Sequence, residues 1–201
     1  MDDLNPNAPR FWVGCMKCYN NGDLIGRWFS PQEMIEAFDT IGEETELVID
    51  DQLAAVHRNC PGLLDEDCEE MWCYDVSGLP RNEEMSPEQA LDWAEVYDDL
   101  GSDELWPALC GWVDSGYWVE VGNTGLPSIS SFEEVYKGNF DSFEDYLREQ
   151  AESQGMFNDW PEDAVRYFNF KAWAEDARHN YTVVDAPGEP GPGGVWVFEN
   201  Q

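Results

Sequence analysis

Between Asn82 and Tyr136 the chain carries thirteen Asp and Glu and not one Lys or Arg. A solvated helix face ordinarily mixes both signs, so fifty-five residues of one sign are not an ordinary surface. The 201-residue chain as a whole follows suit, with 43 Asp and Glu against 10 Lys and Arg and a net charge of −33. Charge of this size opposes compaction, so it serves something other than the fold. The chain is nevertheless not an acidic disordered tail: 42% of its residues are hydrophobic, and it holds ten Trp, ten Phe and eight Tyr. Such a content offsets chain entropy and allows one large domain or two or three small ones.

Turn and cap chemistry divides the chain into three regions. In the first, 1–80, Phe11 to Cys15 reads as a strand, Asn20, Asn21 and Gly22 as a reversal, and Gly26 to Phe29 as the returning strand. Ser30 and Pro31 then open a helix expected to run to about Ile41 and to stop at Gly42, with Met34, Ile35, Phe38 and Ile41 on one face. Glu46 to Asp50 and Met71 to Val76 are further strands, and Gln52 to Glu70 between them reads as a surface excursion. The middle region, 81–130, is mainly helical. Ser86 and Pro87 cap one helix, with Ala90, Leu91, Ala94 and Leu100 inward, and Ser102 starts another carrying Leu105, Leu109, Trp112 and Val113. In the third region, 131–201, Ser131 and Glu134 have capping-box spacing, a helix starts at Asp141 and Glu144, and another spans Pro161 to about Asp176. Tyr181 to Val184 and Val195 to Phe198 are apolar strands joined by the Pro- and Gly-rich stretch from Pro187 to Gly194. The fold class is therefore α+β, as an elongated chain of three small domains: α+β, mainly helical, α+β.

Most catalytic constellations cannot be drawn from this supply of residues. The two histidines, His57 and His179, read as surface residues, and no G-x-S-x-G, phosphate loop, dinucleotide turn or H-E-x-x-H pair occurs. Asp65, Asp67 and Glu69 have the first three spacings of an EF-hand, but Glu70 stands where that loop needs glycine. Cys15 and Cys18 form a C-x-x-C pair to which Cys60, Cys68 or Cys73 would have to add zinc ligands. Without a second close pair they read as small apolar packing residues, reduced in a cytoplasmic chain. No enzyme activity and no cofactor are expected. Nor is a membrane span expected, since no run of about 18 apolar residues occurs and the start, Met1 to Leu4, is acidic.

What remains is the charge itself. An anionic surface repels nucleic acid and anionic lipid and leaves basic proteins as partners. B-DNA carries one phosphate charge per about 1.7 Å of axis, so 33 net charges correspond to the phosphates of about 16 base pairs. The carboxylates that would stand in for phosphates are Asp65, Glu66, Asp67, Glu69 and Glu70 in the excursion and Glu83, Glu84, Glu88, Asp92, Glu95, Asp98, Asp99, Asp103, Glu104 and Asp114 in the middle region. Glu133 and Glu134 open the third.

The residues also resemble a known family, the ArdA antirestriction proteins of mobile genetic elements. Val13, Gly14, Tyr19, Asn20, Gly22, Leu24, Gly26, Trp28 and Phe29 resemble its opening strand and turn, and Met71 to Asp75 with Gly78, Leu79 and Pro80 the stretch before its middle domain. Gly138, Phe140, Asp141, Ser142, Glu144 and Asp145, then Tyr167, Phe168, Phe170, Ala172, Trp173, Ala174 and Asp176, and finally Gly194, Val195, Val197 and Phe198 continue the likeness over nearly the whole chain. Gln52 to Glu70 and Pro187 to Gly194 look longer than the family pattern. The resemblance implies a three-domain homodimer that mimics bent B-DNA and occupies the DNA site of Type I restriction-modification enzymes. For the subunit contact the third region offers Tyr167, Phe170 and Trp173, together with five of the ten basic residues, Lys137, Arg148, Arg166, Lys171 and Arg178. Two rivals compete. A halophilic protein would also favour Asp and Glu over Lys, of which only Lys17, Lys137 and Lys171 occur. An acidic binder of basic proteins, like a histone chaperone, is the other.

Overall fold

The computed structural model describes residues 7–41, 44–47, 70–188 and 191–200. The chain gathers into two units, Met1–Cys110 with Val121–Ile129 and Gly111–Glu120 with Ser130–Gln201. Helices and antiparallel sheets mix in both, as the α+β reading expected.

In the first unit β1 (Arg10–Cys15) lies between β2 (Gly26–Phe29) and β5 (Met71–Ser77), antiparallel to each. Phe11, Val13, Phe29, Cys73 and Val76 are buried on one face. On the other face Trp12 lies across two glycines: a Cβ at Gly14 or Gly26 would come within 2.7 or 2.6 Å of its ring. The β1–β5 register slips between Trp12 and Val13, which pair with Asp75 and Cys73, so Tyr74 is an extra residue on β5. Before the return to β2 the chain makes a short helix, α1 (Met16–Asn20), and reverses at Gly22 with φ +89°.

α2 (Pro31–Glu36) begins as its residues dictate. The Ser30 hydroxyl accepts from the Glu33 amide while the Glu33 carboxylate accepts from the Ser30 amide. Burial works against the Glu33 charge, but the Ser30 amide and the Arg27 guanidinium, 2.9 Å away, overcome it and hold the carboxyl below its ordinary range. The helix does not reach Ile41. It ends at Glu36, and Phe38–Ile41 forms β3, paired with β4 (Glu44–Leu47). Thr40 and Ile41 are β-branched and fit a ladder better than a helix end, and the Gly42 expected to stop a helix lies outside the described residues. The strand expected over Glu46 to Asp50 thus begins earlier, and 48–50 and the excursion as far as 69 lie outside the described residues.

α3 (Pro87–Leu100) follows the expected cap: Ser86 and Gln89 form a reciprocal capping box, Pro87 fills the first position, and Gly101 closes the helix in the left-handed region. Ala90, Leu91, Ala94, Val96 and Leu100 are buried, and the helix packs on α2 and β5. Trp106, 1% exposed, fixes the far side, donating from Nε1 to the Gly78 carbonyl at 2.7 Å with Trp93 and Tyr97 edge-on to its ring. It opens α4 (Trp106–Asp114), for which Ser102 supplies a preceding turn by accepting from the Leu105 amide. Of residues 81–130, 81–110 and 121–129 fall in the first unit and 111–120 and 130 in the second.

In the second unit α5 (Ile129–Val135) places Ser131 inside the helix, so the expected Ser131 and Glu134 capping box does not form its start. β6 (Tyr136–Phe140), β7 (Tyr181–Asp185) and β8 (Val195–Glu199) make a sheet with β8 central. α6 (Phe143–Ser153) starts after Ser142, whose hydroxyl accepts from the Asp145 amide, rather than at Asp141. The single helix expected from Pro161 to Asp176 is broken into α7 (Glu162–Arg166) and α8 (Phe170–Ala177). The cause is Asn169, whose side chain accepts from the Ala172 amide and caps α8 instead of continuing α7. Phe143, Tyr146, Leu147, Ala174 and Val197 form one core cluster, and Trp112 packs with Phe132 and Phe198 beside it.

Substituting Gly26→Ala drives a methyl into Trp12 and the Val13 carbonyl. The expected loss is about 1–3 kcal/mol, read as a lower urea midpoint with an unchanged slope.

Candidate partner-binding surface

A helix that packs one face on a core and carries five carboxylates and no cation on the rest presents those carboxylates as a row. On α3 they are Glu88, Asp92, Glu95, Asp98 and Asp99. Glu88, Asp92, Glu95 and Asp99 recur at steps of four, three and four, which keeps them on one stripe. All are exposed except Asp92, which is half-buried. Burial and then the charge of Glu88 push the Asp92 carboxyl above its usual range, and burial with Asp92 and Asp99 does the same for Glu95. Asp98 and Asp99 also sit in the last turn, where the helix dipole disfavours negative charge and where no basic residue answers them. Glu88, in the first turn, suits the dipole, but from Asp92 to Asp99 the row works against helix stability.

Other members of the proposed surface surround this helix in the first unit. Glu70 is exposed just before β5, and Glu83 and Glu84 are exposed between β5 and α3. Asp103 and Glu104 are exposed beyond the end of α3, with the Tyr97 hydroxyl donating to the Asp103 carboxylate. In the second unit Asp114, Glu133 and Glu134 are exposed. Asp65, Glu66, Asp67 and Glu69 lie outside the described residues. Exposed Glu120 belongs to the same one-signed run and was missed as a single residue, although the run itself contains it.

The aromatic residues expected at a subunit contact divide. Tyr167 is 78% exposed, just after α7, with the Arg166 guanidinium over its ring. Phe170 and Trp173 are half-buried, in a set of ring contacts with Phe157, Trp160 and Phe168, and Trp173 also packs on the Val197 core cluster. Tyr167, Phe168, Phe170 and Trp173 therefore do not share one helix.

Cys15 and Cys18 are both buried, Cys15 on β1 and Cys18 on α1. Burial pushes the thiol of Cys73, on β5, up to about 12. Among the described residues no group of three or more His, Cys, Asp or Glu is placed to hold a metal ion. None of the described helices is long and apolar enough to cross a membrane.

A family model described as Antirestriction protein (ArdA) matches residues 11–188. Among curated proteins none matches the chain.

The raised carboxyls fix a sign. A carboxyl whose pKa is higher folded than unfolded makes the native state bind more protons, so its charge costs stability above the folded pKa and none below the unfolded one. Asp92→Asn should therefore raise the thermal midpoint at pH 7, and the gain should fade as pH falls toward the unfolded value of about 4 and be absent below it. Calorimetric melts of both proteins across that range check it; a loss of stability at pH 7 contradicts the reading.

Proposed function

Because this chain belongs to the ArdA family of antirestriction proteins, we propose that it acts in the cytoplasm as a DNA mimic, filling the DNA-binding groove of a Type I restriction-modification enzyme and so protecting incoming mobile DNA. The action is stoichiometric, not catalytic. The observation that carries the reading is the α3 row. Glu88 and Asp99 are eleven residues apart, so five carboxylates fall along about 16 Å of helix, one per about 4 Å. One strand of B-DNA presents a phosphate every 3.4 Å or so. A groove lined with Lys and Arg meets a similar line density of charge from either, and because phosphate contacts carry no sequence, the mimic is general across enzymes with different target sites. The flanking carboxylates from Glu70 to Glu104 extend the array beyond one helix. Direct binding of nucleic acid is excluded by the same charge.

The three-domain division at residues 80 and 130, with the third domain as the seat of a homodimer, belongs to this proposal. Tyr167 is the exposed contact it offers, and Arg148 and Arg166, each stacked on a ring there, offset the carboxylates that a two-fold contact brings together. Trp173 has a packing role in its own unit, so Tyr167→Ala is the cleaner probe. The expected outcome is a folded protein with half the mass by light scattering at micromolar concentration; an unchanged mass places the contact elsewhere.

The central test is a Type I restriction assay with the purified protein titrated in. Inhibition should saturate near one mimic per DNA site and fall steeply with salt, since the pairing is screened over about 8 Å at physiological ionic strength. Single neutralisation of Asp92, Glu95, Asp98, Asp99, Asp103 or Glu104 should change inhibition less than about fivefold, each surface pair contributing under about 1 kcal/mol. Neutralising all six should weaken it by at least tenfold. Inhibition that ignores salt removes the electrostatic reading, and so does a single substitution that abolishes it.

A further inference from the structure

The outer face of the β2–β1–β5 sheet is not used by any of this. Its inner residues are buried aliphatics and phenylalanines, but the outward positions are Trp12 and Trp28, directly opposite in the β1–β2 register, with Trp72 and Tyr74 on β5. Tyr19, from α1, stacks on Tyr74 with ring centroids 3.8 Å apart and planes 14° from parallel. Trp28 and Tyr19 are 39% and 38% exposed. The two glycines under Trp12 let its ring lie flat on the strands, so the face is a platform of π surfaces.

The slip in register on β5 adds the second element. A bulge turns two consecutive side chains toward the same face, and here the burial pattern breaks at Tyr74 and Asp75: both are out of the core, although their neighbours Cys73 and Val76 are buried. An aromatic ring and an exposed carboxylate are thus set side by side opposite Trp12. The phenol of Tyr74 is pushed above its usual range by burial and then by the charge of Glu84.

Rings with adjacent carboxylates match one side chain above others. A guanidinium stacks its plane on an aromatic face and donates from its edge to a carboxylate, whereas an ammonium is a point charge that loses more hydration on the same ring. The chain uses this pairing internally, with Arg27 lying 3.6 Å over Phe29 while bonded to Glu33 at 2.9 Å. A single-stranded nucleic acid would also stack on such rings, but Asp75, Glu84 and the net charge of −33 repel its phosphates.

We propose that this sheet face is an arginine-reading surface, on which the exposed rings of Tyr19, backed by Tyr74, and of Trp28 stack guanidinium groups of a basic protein partner while Asp75 accepts their hydrogen bonds. It rests on the reading of the chain as a ligand for a basic protein and deepens it: the α3 row supplies long-range attraction to any cation, and this face selects arginine over lysine.

Calorimetric titration of the full chain with hexa-arginine and hexa-lysine tests it. The arginine peptide should bind about fivefold more tightly, and the preference should persist in 0.5 M salt, where the Debye length falls to about 4 Å. Tyr74→Leu with Asp75→Asn should bring the arginine peptide down to the lysine value. Trp28→Ala, an exposed edge position, should halve the preference and serves if the double variant does not fold by circular dichroism. Glu88→Gln with Asp99→Asn, on α3, should weaken both peptides alike. Equal binding of the two peptides by the unaltered chain overturns the proposal, as does a preference that survives both ring variants or ring-dependent binding of an oligo-dT strand. The six-carboxylate variant in the restriction assay tests the mimic reading, and its outcome is independent of the arginine preference.

Discussion

Forty-three carboxylates against ten cations repel one another whenever this chain is compact, so its stability has to come from contacts that charge does not weaken. Those contacts are aromatic to an unusual degree. Trp106 and Trp112 are among the largest fully buried side chains, with Phe11, Phe29, Phe132 and Phe198 beside them in the two units. A buried Trp or Phe removes 150–250 Å² or so from water, and packed rings gain about 0.5–1.5 kcal/mol more from their edge-to-face geometry. Small cores built from such residues can therefore oppose a surface that carries little compensating charge. The few cations are spent in the same way: Arg27, Arg148, Arg166 and Arg178 each lie over a ring.

Much of this was legible in the sequence because it rests on local chemistry. The Ser-Pro pairs at 30–31 and 86–87 are caps whose partners Glu33 and Gln89 stand three residues on, and both helices start where the pairs predict. The strands at Phe11, Gly26, Met71, Tyr181 and Val195 declared themselves by apolar runs between turn residues. Boundaries failed where a distant partner decided. Phe38 to Ile41 continues a helical stripe in sequence yet pairs as a strand, and Tyr136 to Phe140 was not read as a strand at all. Lys137, Gly138 and Asn139 are turn chemistry, and what makes them a strand is β8, with Gly138 at φ +130° taking the irregularity in the register. Asn169 marks the opposite failure, since its local cap breaks a helix that the sequence reads as continuous from Pro161 to Asp176.

The candidate surface divides along the same line. That the run from Asn82 to Tyr136 is acidic needs no structure, and neither does the stripe on α3, which follows from spacing. The half-burial of Asp92 does need it, and so does the platform on the first sheet. Nothing in the residues Cys73, Tyr74 and Asp75 announces a bulge, because the extra residue exists only relative to the register of β1.

α3 shows how one element meets two opposed demands. Its inner face is Ala, Leu and Val, held by Trp106 through the Gly78 carbonyl, and that anchorage is what lets the outer face keep Asp98 and Asp99 at the dipole's negative end. A freely chosen surface would place lysine there, and both the helix and the fold would gain. That the chain instead keeps carboxylates where they repel each other, and even half-buries one, means the row is maintained against folding stability. In the proposed complex a groove of opposite charge would relieve that repulsion and lower the raised pKa values of Asp92 and Glu95. On that proposal, a surface poorly optimised for the free protein is the physical counterpart of a well-matched ligand.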